Sequence, residues 1–216
     1  MEMKNKKKLK KLCVILASAV IVIAAVAAFL AFHNRIGDGK AREILSGLIE
    51  QTYEINDIVW GKGLPVEENS PQPMSSVSGA QYRAVAKDSG YQTVEELTDA
   101  IKEVYSDSFF ANTIEYVCFK DVEPLTTDLN GNPDTSTAVY ARYTENKGQL
   151  YADVMHPSFD TGTRSYDASS ARVKKVWFDT VTVELDAVDT ATGETKKETL
   201  RLRKQASGWR LDEPTY

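Results

Sequence analysis

Val181-Thr-Val-Glu-Leu-Asp-Ala-Val188 decides how the rest of this chain is read. Val181, Val183, Leu185 and Ala187 alternate with Thr182, Glu184 and Asp186. That two-residue period is the mark of a strand with one face in a core and one in water. Val173–Val188 is the longest strand expected. Downstream, Thr190–Gly193 is a loop, and Leu200 and Leu202 alternate with Arg201 and Arg203 within Lys196–Lys204. Ala206-Ser-Gly208 turns the chain again, and Trp209–Leu211 closes the sheet. Upstream, Gln149–Met155 returns along Thr137–Tyr143 through the turn Asn146-Lys-Gly148, and Tyr82–Val85 is a further short strand.

Helices precede these strands. From Ala41, the residues Ile44, Leu45, Leu48, Ile49, Tyr53, Ile55, Ile58 and Val59 recur at helical spacing, with Asp38 placed to cap the start. Trp60-Gly-Lys-Gly-Leu-Pro65 stops that helix, and Glu67–Ser78 reads as a loop. Thr93-Val-Glu-Glu96 is a capping box opening a helix Val94–Tyr105. Ser106-Asp107 begins a shorter helix reaching Phe119. Helices followed by an antiparallel meander predict an α+β domain over 41–216, with helices packed on a curved sheet.

Residues 12–32 carry no charge in 21 positions, enough to span about 30 Å as a helix. Six lysines and one acid precede them. We therefore expect a cytoplasmic basic tail at 1–11, a transmembrane helix at 12–32, a linker at 33–40, and the domain outside the membrane. A cleaved signal peptide is the competing reading, although its apolar region is usually shorter. Of the 26 basic and 31 acidic residues, 20 and 30 fall in 33–216, a net of −10. Such a charge repels nucleic acid. Cys118 is the only cysteine beyond the apolar stretch, so no disulfide can close within the domain.

The order of elements is similar to NTF2-like and cystatin-like cones, with Gly208-Trp-Arg-Leu-Asp212 placed as the closing strand. Tyr53-Glu-Ile-Asn-Asp-Ile-Val-Trp60, Tyr91-Gln-Thr-Val-Glu-Glu-Leu97 and Val104-Tyr-Ser-Asp-Ser-Phe109 resemble the DL-endopeptidase inhibitor family of Gram-positive bacteria (IseA-like proteins) over roughly 41–119. The resemblance implies a protein that binds a peptidoglycan endopeptidase and blocks its cleft. No contact residue of that family carries over to this chain.

The chemistry-bearing motifs are weak. Phe159-Asp-Thr-Gly-Thr163 has the aspartic-protease triplet once, where that mechanism needs two carboxylates sharing a proton. Its flanks suit a glycine turn. Asp128–Asp134 spaces oxygen ligands like a calcium loop, but Pro133 and Val139 replace the required Gly and Glu. His33 and His156, with one cysteine, make no zinc set. Nothing like Gly-x-Ser-x-Gly supports a triad on His156. Cys118 reads as a small core residue. We expect no enzyme, cofactor or metal. The aromatic residues Tyr53, Trp60, Tyr140, Tyr143 and Trp209 are the candidate binding groove. The expected function is a membrane-tethered module for an envelope protein, restraining a wall hydrolase. The alternative is a small-ligand or wall-fragment domain with its pocket in the cone.

Overall fold

A computed structural model describes residues 15–26, 35–71, 80–121 and 140–216. The chain is α+β, but with two antiparallel sheets where one curved sheet was expected. Helix α1 (Asp38–Val59) comes first, then strand β1 (Tyr82–Ala84) and helix α2 (Val94–Val104). A helical run follows as a turn at Asp107–Phe109, a π-helical stretch Phe110–Ile114 and a turn Glu115–Cys118. Strands β2 (Tyr143–Asn146) and β3 (Gln149–Asp153) form the small sheet with β1, in the order β1-β3-β2. Strands β4 (Arg164–Trp177), β5 (Thr180–Asp189), β6 (Thr195–Gln205) and β7 (Gly208–Leu211) form the large sheet as a simple meander.

Three expectations are corrected. Residues 15–26 are helical, but among the described residues no helix is long and apolar enough to cross a membrane. This removes the support for a transmembrane helix at 12–32 and for the single-pass placement at the cell membrane with the domain outside. Residues 12–14 and 27–32 lie outside the described residues, as do the tail 1–11 and His33.

The second correction divides Val173–Val188, which is not one strand. A two-residue turn at Phe178–Asp179 separates β4 from β5, and β4 extends back to Arg164. Its first half, Arg-Ser-Tyr-Asp-Ala-Ser-Ser, has too few apolar residues to show a period. Third, Asp38 lies within the first turn of α1, and Gly37 takes the cap position. The Asp38 carboxylate instead accepts the Val173 N–H at 2.8 Å. Of the strand expected at Thr137–Tyr143, 137–139 lie outside the described residues; pairing begins at Tyr143.

The remaining signals act as their chemistry dictates. Thr93 and Glu96 close the capping box reciprocally, satisfying orphan N–H groups of α2. Ser106 caps the next turn by accepting from the Phe109 N–H. Val181, Val183 and Leu185 of β5, with Leu200 and Leu202 of β6, are at most 2% exposed and meet Leu45, Leu48 and Ile49 of α1 in one core. The inner face of the large sheet is thus filled with side chains.

Strand β4 is one of the two outer strands of that sheet, and α1 runs antiparallel along it. Asp38 accepts from Val173, Arg42 Nε donates to the Ala171 carbonyl at 3.1 Å, and Tyr53 Oη accepts from Tyr166 N–H at 3.2 Å. Side chains of one helix thereby occupy backbone groups that an edge strand would otherwise offer to another chain. This packing also brings the C-terminal end of α1 to the start of β4.

Candidate functional site

Helix α1 ends at Val59, and the chain then doubles back on itself. The Asp57 carboxylate accepts the Lys62 N–H at 3.0 Å, while the Gly63 N–H donates to the Asp57 carbonyl at 2.9 Å. Gly61 has no room for a side chain, since a Cβ there would lie 2.1 Å from Asp57 Oδ1. Gly63 adopts φ +80° against the buried guanidinium of Arg142. Arg142 donates to the Gly61 carbonyl, and the Tyr143 hydroxyl donates to the Ile58 carbonyl at 2.8 Å and accepts the Leu64 N–H at 3.1 Å. The turn is therefore bolted to the small sheet.

Opposite this turn lies the segment joining β3 to β4. The Phe159 N–H donates to the Trp60 carbonyl at 2.8 Å. Asp160 Oδ1 accepts the Gly162 N–H at 3.0 Å, an Asx turn. Between the two segments is an open cleft of about 580 Å³, lined by Tyr53, Glu54, Asp57 and Lys62 on one side and by 158–162 on the other. Three carboxylates and one ammonium line it. Phe159 projects beside it, 63% exposed. Glu54 is also within reach of the Tyr91 hydroxyl, at 3.5 Å.

Of the five aromatic residues expected in one groove, Tyr53 alone lines the cleft. Trp60 is 5% exposed and packs edge-on to Tyr105 and against Tyr216. Tyr143 is buried, with its hydroxyl engaged as above, and burial pushes its phenol up to about 12. Tyr140 is half-buried just before β2. Trp209 sits on β7 beneath the Lys204 ammonium, 5.7 Å from its ring. The groove expected from these rings is thus dispersed, because aromatic residues spaced along a sequence are indistinguishable from core until the elements pack. Glu54 and Asp57 fall in the stretch Tyr53–Trp60 that carries the resemblance, but no binding motif marks them or Lys62. A motif does mark Asp160, although as a protease signal.

Asp160 is exposed in its turn, where its Oδ1 accepts the Gly162 N–H. Burial, reinforced by Arg142, lowers the basicity of His156. Asp153, near His156, spends its carboxylate on the Gln81 and Met155 N–H groups. Burial pushes the Cys118 thiol up to about 12, with Arg142 opposing. Among the described residues no group of three His, Cys, Asp or Glu is close enough to hold a metal ion. The calcium-like stretch Asp128–Asp134 lies outside the described residues. No family model and no curated relative matches the chain.

Proposed function

We propose that this chain is a binding module, not a catalyst, and that its cleft receives a positively charged segment of a partner protein. One observation carries the reading: Glu54, Asp57 and Asp160 line a single open cleft opposed by Lys62 alone, with the Phe159 ring exposed at its side. The volume lies within the roughly 300–1,000 Å³ of ligand clefts. A lysine or arginine side chain suits it in both its parts. Its charged head is attracted by the carboxylates, and its apolar stem lies along aromatic surface. The carboxylates are too dispersed to close on one metal ion, which favours a larger organic cation. The likeness of 41–119 to endopeptidase inhibitors supports a protein as the occupant. The filled inner face of the large sheet counts against a small-ligand pocket there.

The test is a titration of the full-length protein with a lysine-rich dodecapeptide and with its glutamate-rich counterpart. The lysine peptide is expected to bind with a Kd on the order of 10–100 µM at low salt and more weakly at high salt. Asp57→Asn with Asp160→Asn should weaken it about tenfold or more. Equal binding of both peptides, or of neither, would sink the proposal.

A further inference from the structure

Strand β4 begins beside the cleft and runs 14 residues away from it, with bulges that fit it to the ten residues of β5, about 30 Å at the usual strand rise. It ends in the turn Phe178–Asp179, where Trp177 is 61% exposed and Phe178 36%. Their rings meet edge to face at 4.8 Å. Phe178 has φ +48°, a left-handed conformation that a bulky side chain adopts only at a cost.

The turn is nevertheless fixed. Thr180 Oγ1 donates to the Trp177 carbonyl at 2.8 Å, Lys204 N–H donates to the Asp179 carbonyl at 2.7 Å, and Arg203 pairs with the Asp179 carboxylate at 2.7 Å. The Lys175 ammonium lies 5.8 Å from the Trp177 ring, and Lys204 lies over Trp209 on the adjoining β6–β7 hairpin. A strained, well-anchored turn thus holds two aromatic rings out of the core amid lysines. Such a rigid aromatic anchor is the kind of residue that dominates binding energy at protein interfaces.

We infer that the occupant of the cleft is the β4–β5 hairpin tip of a second copy of this chain. This rests on the reading of the cleft proposed above and names its partner. The two ends are complementary in charge and in surface. One offers three carboxylates beside Phe159 and Tyr53, and the other offers Trp177 and Phe178 with Lys175 and Lys204. Because tip and cleft lie at opposite ends of β4, the contact is head-to-tail. Each copy that joins leaves one tip and one cleft free. A contact confined to one hairpin tip falls below the roughly 1,000 Å² of a stable interface. Association is therefore weak, with a Kd on the order of 100 µM, and is weakened further by salt.

Sedimentation velocity of the full-length protein, in non-ionic detergent to shield the exposed apolar helix at 15–26, tests this. The average mass should rise with concentration. Trp177→Ala, which removes the tip, and Asp57→Asn with Asp160→Asn, which weakens the cleft, should each leave a monomer. Mixing the two variants should restore association but stop it at two copies, since one good tip and one good cleft remain between them. A protein that stays monomeric up to about 1 mM overturns the inference. So does association indifferent to both variants, or a mixture that does not recover. If the lysine peptide still binds such a monomer, the cleft reading survives and only this inference falls. If the peptide fails too, both fall.

Discussion

The hydroxyl of Tyr53 accepts the backbone N–H of Tyr166 at 3.2 Å, so a residue lining the cleft also secures an outer strand of the large sheet. Tyr53→Phe removes the acceptor and leaves that N–H to whatever water reaches it. The expected loss is about 1 kcal/mol of unfolding free energy, measured by urea titration. An unchanged midpoint would show that the hydroxyl contributes nothing to holding β4 against α1.

Asp212 links the end of β7 to β6. Burial pushes its carboxyl up, but hydrogen bonds from Arg203 and Ser106 and the charges of Arg203 and Arg201 outweigh this. Its pKa therefore lies below the ordinary carboxylate value. It receives Arg203 Nε at 2.9 Å and Arg201 Nε at 3.1 Å. A carboxyl depressed by folding stabilises above its unfolded pKa, and that contribution disappears as pH falls through the folded value. Asp212→Asn should cost about 3 kcal/mol at neutral pH. It should also flatten the acid limb of a plot of stability against pH, at and below the ordinary carboxylate range. A variant with an acid limb as steep as the parent's would exclude Asp212 as its source.

Gly63 has φ +80°, and a Cβ there would meet Arg142 Nη2 at 2.7 Å and Tyr143 Oη at 3.2 Å. Gly63→Ala should destabilise the fold by about 1–3 kcal/mol through backbone strain and displacement of the buried guanidinium. It should also weaken lysine-peptide binding by loosening the turn that presents Asp57 and Lys62. Circular dichroism melts and the peptide titration read the two effects. Full stability with full binding would disprove this account of the turn.

Cys118 is buried and its thiol is pushed up to about 12, so thiolate reagents should not label it in the native protein at pH 8. Labelling should appear only with unfolding, at a rate that follows added denaturant. Tyr143 belongs to the same buried region. Its phenol is raised by burial to about 12, with Arg142 opposing. A phenol raised by folding stabilises fully below its ordinary value near 10, and that stabilisation declines as pH climbs toward 12. Absorbance at 295 nm should show a delayed tyrosine fraction that ionises as the fold is lost. Rapid labelling of Cys118 without denaturant would contradict its burial.

The signals that succeeded from sequence are local ones. The capping box Thr93–Glu96 closes as read because its partners lie three residues apart. The alternation in Val181–Val188 and Leu200–Leu202 reports which face is buried, because strand geometry fixes side-chain direction at every second residue. The failures were of two kinds. Phe178–Asp179 carries none of the glycine or asparagine that usually announces a hairpin, so the turn between β4 and β5 could not be seen. The serine-rich start of β4 has no apolar period because α1 side chains, not core burial alone, hold it in place.

Sequence by itself determined a helix from about Ala41 to Val59, one opening at Val94, the meander from β5 to β7 and the acidic balance of the chain, since each depends on neighbours or on composition. Tertiary structure decided the rest. It divided the strands between two sheets, buried Trp60 and Tyr143, and drew Glu54 and Asp57 to within one cleft of Asp160, more than a hundred residues away. The physical reason is that a carboxylate has the same local signature on any exposed turn. Only the packing of α1 along β4 brings these three to the same opening.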